Sequence, residues 1–425
     1  MTASIDANGK EAPVRSRAAW TLLLLAGTAC TAPADRPAAA TVADSAGVEL
    51  VRHSAALVAA LPAWRIDTVV RAQVVGDGES QQFSSIRDAV QRADGGFIIA
   101  DAAQRDIREF TSAGTLVRVL ARRGQGPGEV AFVKRLQMLA GDSLMFIDSN
   151  NRRLSLFAPD GRFVRQAEYP RLVDGASVDF LAQLSDGRLL GTVRKPFVPS
   201  ANDSTYRQPF ALVTFSDRGA DPVRIDTIRI VPDVLAYSTT VTQGGETYPD
   251  ESPIRFGPHT AIASNGRRTV VATNEATDLL VYDGVRLMRR IAVDLPVEPF
   301  TTADRERFEA DLTARVARTG RPPAAMNEFR EMLRGWRYAG SLSFADRVLV
   351  GDDDSIWVER PLVTPDDPPR YLVFDRSGRA VAQVELPGKV QLLRASLETL
   401  LVSWPDDDDV PAVQVRALRR TSEAP

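Results

Sequence analysis

The chain has 425 residues, 52 Lys and Arg against 55 Asp and Glu, a net charge of −3, 44% hydrophobic residues, one Cys and two His. Balanced charge argues against a nucleic-acid binder, whose partner's phosphates call for a basic excess. A single Cys excludes an internal disulfide and a multi-cysteine zinc site, and His53 and His259 alone exclude a multi-His metal centre.

In chain order, Lys10, Arg15 and Arg17 precede an apolar run from Ala18 to Ala29 that contains Leu22, Leu23, Leu24 and Leu25. About twelve residues fall short of the roughly 20 that span a bilayer, and the plan is that of an export signal over residues 1–30. The run ends in Gly27-Thr28-Ala29-Cys30, which resembles a bacterial lipobox, although Gly27 stands where an aliphatic residue is usual. The resemblance implies lipidation of Cys30. With Thr31 rather than Asp next, it further implies an outer-membrane lipoprotein of the bacterial cell envelope; simple secretion is the alternative. Residues 31–45, small and Pro-bearing, are expected to be a flexible tether, and residues 46–425 the folded domain.

Comparing the chain with itself exposes a period of 47 residues. Gly96-Phe97-Ile98-Ile99-Ala100-Asp101, Phe110 and Gly114 match Ser143-Leu144-Met145-Phe146-Ile147-Asp148, Phe157 and Gly161 at that spacing. An aromatic residue followed four positions later by Gly recurs as Phe215/Gly219 and Phe374/Gly378, and Tyr282-Asp283-Gly284 is a tighter version in which Asp-Gly would supply positive φ. Leu189-Leu190-Gly191, Thr269 to Ala272, Ser355 to Val358, and Leu400 to Trp404 with Ala412 to Val415 fill out about six units of strand, turn, strand, turn. A small antiparallel unit cannot bury both faces alone, so the units are expected to pack around an axis as a six-bladed β-propeller, with five or seven blades left open. Val48 to Val51 and Trp64 to Val70 are expected to complete the C-terminal blade.

The strand-Asp and aromatic-x-x-x-Gly cadence, with Gly124-Gln125-Gly126-Pro127-Gly128-Glu129 between the first two units, resembles the NHL-like six-bladed propellers, and within them a set of bacterial lipoproteins of unassigned function. Gly76-Asp77-Gly78 stands 48 residues earlier in the equivalent place, without the Pro. The resemblance spans nearly all of the chain from Ala46 and implies fold more than activity.

Gly124 to Glu129 lacks the Lys-Ser or Lys-Thr and the following helix of a phosphate loop, and Pro127 has no N–H to donate. It reads as an inter-blade turn, with Glu129 a candidate polar contact. Asp101 and Asp148 end equivalent strands. They cap turns through their own backbone or, with Glu129, form a binding face that could hold a calcium ion, which needs six to eight oxygens. Later units carry Thr273, Asn274 and Glu359 there, breaking a carboxylate ring. The acidic runs Asp352 to Asp354 and Asp406 to Asp409 read as solvated turns. There is no Gly-x-Ser-x-Gly elbow, so no catalytic residue is assigned.

Residues 301–337 break the β pattern. Thr301 or Thr302 caps a helix carrying Phe308, Leu312 and Val316, Gly320 and Pro322 stop it, and a second helix carries Phe329, Met332, Leu333 and Trp336. The expectation is a helical hairpin between the fourth and fifth blades, packed on the propeller or serving as a lid. The sequence is therefore expected to encode a monomeric binding or scaffold module for a protein, peptide or glycan, touching the membrane only through its lipidated N-terminus, without nucleic acid or cofactor. A calcium-dependent hydrolase or lactonase-like propeller is the alternative.

Overall fold

The computed structural model describes residues 40–76, 82–172, 174–196, 204–216, 224–243 and 246–420. Cys30, the leader, Asp77, Gly78, Gly219 and most of the expected tether lie outside the described residues.

Blade 1 comprises Ile86–Gln91, Phe97–Asp101, Asp106–Phe110 and Leu116–Ala121, and blade 2 comprises Val133–Met138, Leu144–Asp148, Arg153–Phe157 and Phe163–Glu168. The 47-residue period is reproduced in the pairing, with Ile86 opposite Asp101 and Val133 opposite Asp148. Blade 3 is Ser177–Gln183, Leu189–Arg194, Thr205–Phe215 and Ile225–Gln243, with Glu246–Pro253 as a fifth strand; blade 4 is Ala261–Ser264, Arg268–Ala272, Asp278–Asp283 and Arg286–Val293. Blade 5 is Arg347–Val350, Ile356–Glu359, Arg370–Phe374 and Ala380–Glu385, and blade 6 is Gln391–Ala395, Thr399–Pro405, Pro411–Arg419 and the N-terminal Ala63–Val74.

Six apolar clusters fill the six spaces between successive blades. The decisive one joins the last blade to the first, where Leu393, Leu401 and Val413 meet Phe97, Ile99 and Phe110. Each sheet thus buries both faces against its neighbours, and the fold is a six-bladed β-propeller. The ring is latched by Ala63–Val74, which runs antiparallel to Pro411–Arg419 with Gln73 opposite Gln414.

The recurring aromatic and Gly have a common cause. Phe110, Phe157 and Phe374 are buried between blades, and a bulge immediately precedes each of them in its pairing with the next strand. Gly114, Gly161 and Gly378 then adopt φ of 82°, 81° and 78°, and their N–H groups close the turn on Thr111, Ala158 and Asp375 carbonyls. That backbone region is open to Gly and strained for other residues. At Tyr282 the loop is Gly284–Val285 rather than Asp283–Gly284, and Gly284 supplies the positive φ of 56°.

Two N-terminal expectations are corrected. Val48–His53 does not join blade 6; it runs parallel to Arg286–Val293 of blade 4, and Thr41–Ser45, expected within the tether, pairs antiparallel with it. The physical reason is a plug between blades 4 and 5. His53 is fully buried, its Nε2 accepts the Ala380 N–H at 2.9 Å, and its ring meets Phe374 edge-on at 5.6 Å. The short helix α1 (Ala55–Ala59), capped by Ser54, then drops Val58 into the core shared by those blades.

The first strand of every blade begins on the same face, here the upper face, which the fully described inter-blade connections cross. Two additions leave the ring there. The last strands of blade 3 overshoot into the hairpin closed by Ile225–Gln243 and Glu246–Pro253. Between blades 4 and 5 stand α2 (Thr302–Arg318) and α3 (Pro323–Arg334), within the stretch expected to be helical. Thr301 and Asp304 cap α2 reciprocally, and Gly320 follows it at φ 74°. Of the expected stripe on α3, Leu333 is buried, whereas Met332 is 48% exposed.

Candidate functional site

Asp101 and Asp148 are not open to a ligand: their residues are 1% and 0% exposed. Asp101 accepts the N–H groups of Ser84, Ser85, Ala103 and Gln104 at 2.8–3.3 Å and lies 3.5 Å from the Arg108 guanidinium. Asp148 accepts those of Ala131, Phe132 and Asn151 at 2.8–3.1 Å, together with the Asn151 amide. Each carboxylate ties the connection entering its blade to the turn leaving its own strand, which is the capping alternative of the sequence reading.

Glu129 is likewise committed to its own loop. Its Oε2 accepts the Gly126 N–H at 2.6 Å, and the carboxylate lies where a side chain on Gly124 would be, 2.0 Å from an added Cβ. Arg153 binds the carbonyls of Gln125, Gly126 and Glu129 at 2.7–2.8 Å from below. The glycine-rich signature is therefore a self-contained inter-blade turn. The acidic run Asp352 to Asp354 does more than meet solvent: Asp353 accepts the Leu397 N–H at 2.8 Å, and Asp354 accepts the Asn265 amide at 2.8 Å, joining three blades. Among the described residues no three His, Cys, Asp or Glu side chains gather as a metal ion would require.

The axis is where unlike side chains converge. A cavity of about 320 Å³ is lined by the first strands of all six blades, among them Arg87, Asp88, Lys134, Arg135, Arg347 and Arg394. Three of the cations are neutralised. Arg394 holds Asp88 with two bonds of 2.6 and 2.9 Å, Arg347 bonds Glu359 at 2.6 Å, and Lys134 binds Asp179. Asp88 also accepts the Leu136 N–H at 2.8 Å, and Arg394 donates to the Leu136 carbonyl at 2.8 Å, so one ion pair connects blades 6, 1 and 2. Among the described residues Arg87 and Arg135 form no ion pair. Burial, with Arg394 beside it, pulls the Arg135 guanidinium down to about 10.

These residues were missed because the sequence reading followed second and third strands. The signal was nonetheless in the repeat: Arg87 and Lys134, and Asp88 and Arg135, stand the same 47 residues apart.

On the upper face an aromatic cluster braces the two additions into one body. Phe256 stacks on Phe300 at 4.4 Å and meets Phe308 of α2 edge-on at 5.1 Å, while Phe300 stacks on Tyr338 at 5.8 Å. Arg255 lies 3.7 Å above the Trp336 ring, and Tyr237 of the blade 3 hairpin donates its hydroxyl to the Gly335 carbonyl at 3.1 Å. Arg307 of α2 binds Asp367 of blade 5. Met332, Val297 and Tyr248 leave apolar surface open on these additions, at 48%, 79% and 49% exposure.

No protein-family model matches the sequence, and no curated protein matches it. Solved structures share its general form at low identity. A member of a domain-of-unknown-function family from Bacteroides vulgatus is 10% identical over 84% of this chain and 99% of its own, with a TM-score of 0.48. Regucalcin, a calcium-binding protein from Agrobacterium tumefaciens, is 11% identical over 85% and 97%, with a TM-score of 0.38. A catalytically inactive virginiamycin B lyase from Staphylococcus aureus is 9% identical over 84% and 100%, with a TM-score of 0.40. The fold assignment rests on the strand pairing described above.

Proposed function

We propose that the protein is a non-enzymatic propeller of the bacterial cell envelope, of the NHL-like type and lipid-anchored through Cys30, that holds a protein or peptide partner against its upper face. One observation carries this reading: both additions to the ring leave the same face and are locked together by the Phe256, Phe300, Phe308, Trp336 and Tyr338 cluster. Inserts into a regular repeat often mark the binding face, and a pre-braced insert spares a partner the cost of ordering it. The exposed Met332, Val297 and Tyr248 favour a protein or peptide surface over a glycan.

Cys30 is the only cysteine, so in a Cys30→Ala background one introduced thiol can carry a photo-crosslinker. Met332→Cys samples the upper face and Glu398→Cys, in the turn entering the second strand of blade 6, the lower. Discrete crosslinked products from an envelope extract with the first variant and none with the second are expected. Equal products from both, or none from Met332→Cys, refute the assignment of the face. Lipidation is tested separately by feeding a fatty-acid analogue, which should label wild type and not Cys30→Ala; an unlabelled wild type removes the anchor from the proposal.

A further inference from the structure

We propose that the axial cavity is a binding site for a small oxyanion, a carboxylate or phosphate group held by Arg135 from within and by Arg87 at the rim. This goes beyond the partner-binding face, which lies on the additions to the ring rather than along the axis.

The wall of the cavity presents five cations, Arg87, Lys134, Arg135, Arg347 and Arg394. Asp88, Asp179 and Glu359 answer three of them. Among the described residues the remaining two have no carboxylate partner. Asp88 and Asp352 act on the Arg135 charge through space, but neither carboxylate bonds it.

Geometry separates Arg135 from its neighbours. The Arg394 guanidinium is spent on Asp88 and on the Leu136 and Leu393 carbonyls. Arg135 has one such bond, to the Ser264 carbonyl at 2.5 Å, and its buried Nε has no partner. Buried polar atoms are ordinarily satisfied, and the Nε of Arg135 is not. The planar fork of an arginine fits the two oxygens of a carboxylate or phosphate. Arg87 is exposed beside the cavity with its guanidinium 5.4 Å above the Phe132 ring, where it can close over an anion from the upper side. Leu181, Ile262, Val348 and Leu393 also line the cavity, so an anion there meets apolar side chains that strengthen its attraction to Arg135.

The experiment is thermal unfolding of the full chain in sodium malonate or sodium phosphate, with sodium chloride matched for ionic strength. Wild type should show a saturable rise in its midpoint with either oxyanion above the chloride control, about 3 °C at a hundredfold excess over Kd. Arg135→Gln, which removes a half-buried charge that no carboxylate bonds, should fold with a midpoint close to wild type in chloride and lose the rise. Arg87→Gln, at the exposed rim, should keep the rise and need several-fold more anion to half-saturate it. A response to malonate alone assigns the group to carboxylates and to phosphate alone to phosphates. A wild-type midpoint that follows ionic strength only, or an Arg135→Gln protein that responds like wild type, overturns the proposal. Should Arg135→Gln fail to fold, Arg135→Lys takes its place, and an unchanged half-saturating concentration in that variant overturns the proposal equally.

Discussion

The ion pair between Asp88 and Arg394 is the point at which the ring's closure is most open to perturbation. Asp88 is 8% exposed at its side chain and Arg394 22%. Asp88→Ala strands the Arg394 guanidinium, removes the acceptor for the Leu136 N–H and takes a carboxylate from the field of Arg135. Breaking one side of a buried pair costs about 3–5 kcal/mol, and the partial exposure of Arg394 together with its two carbonyl partners places the loss near 3 kcal/mol. With an unfolding entropy of about 2.1 cal/mol/K per residue, a domain of roughly 380 residues loses on the order of 4 °C from its midpoint. The assay is urea and thermal unfolding of Asp88→Ala, Arg394→Met and the double variant. Because each single change removes the same interaction, the double variant should lie well above the sum of the singles, with a coupling of about 2 kcal/mol. Single losses below about 1 kcal/mol, or strict additivity, would show that the pair does not connect the blades as argued.

Three further outcomes are expected. Asp148→Ala leaves three backbone N–H groups without their acceptor and should cost about 3 kcal/mol or more in urea unfolding; a loss below 1 kcal/mol would mean that water replaces the carboxylate. Gly124→Ala should displace the Glu129 carboxylate from the Gly126 N–H and cost about 1 kcal/mol, whereas in a Glu129→Ala background it should cost close to nothing; additive losses contradict the steric account. Burial lowers the pKa of His53, whose Nε2 must stay unprotonated to accept the Ala380 N–H. The unfolded chain, with an ordinary His near 6.5, therefore binds the proton first. Stability is fully present above that value, falls as pH drops from about 6.5 to the lowered folded pKa, and is flat in this respect below it. His53→Gln should flatten that window, and an unchanged pH profile would show that His53 is not responsible.

Much of the architecture was legible because the determinants are local and repeated. A Gly that must take positive φ after a buried aromatic leaves the same mark at Gly114, Gly161 and Gly378, whatever else the blades have changed. The N-terminal segment was legible only in part. Both Val48–His53 and Ala63–Val74 carry strand-like sequence, but which blade edge each joins is decided by His53 and Val58 filling one particular gap, which no local pattern encodes. The bound carboxylates Asp101 and Asp148 were conspicuous in the sequence for a structural reason: a cap that blades 1 and 2 share recurs in register, and recurrence is what self-comparison detects.

The axis follows a different constraint. Positions related by the repeat lie around one another on the inner strands, so a residue repeated faithfully there would face its own copies. A ring of like charges in a low-dielectric shaft would repel itself, whereas Asp88 in blade 1 with Arg135 at the matching position of blade 2 does not. At this one position divergence replaces repulsion by attraction, as the Asp88–Arg394 pair between the first and last blades illustrates. Arg135 is the position whose guanidinium no carboxylate of the described residues bonds and whose Nε has no partner. That unfilled valence is the strongest reason to look for a counterion outside the chain.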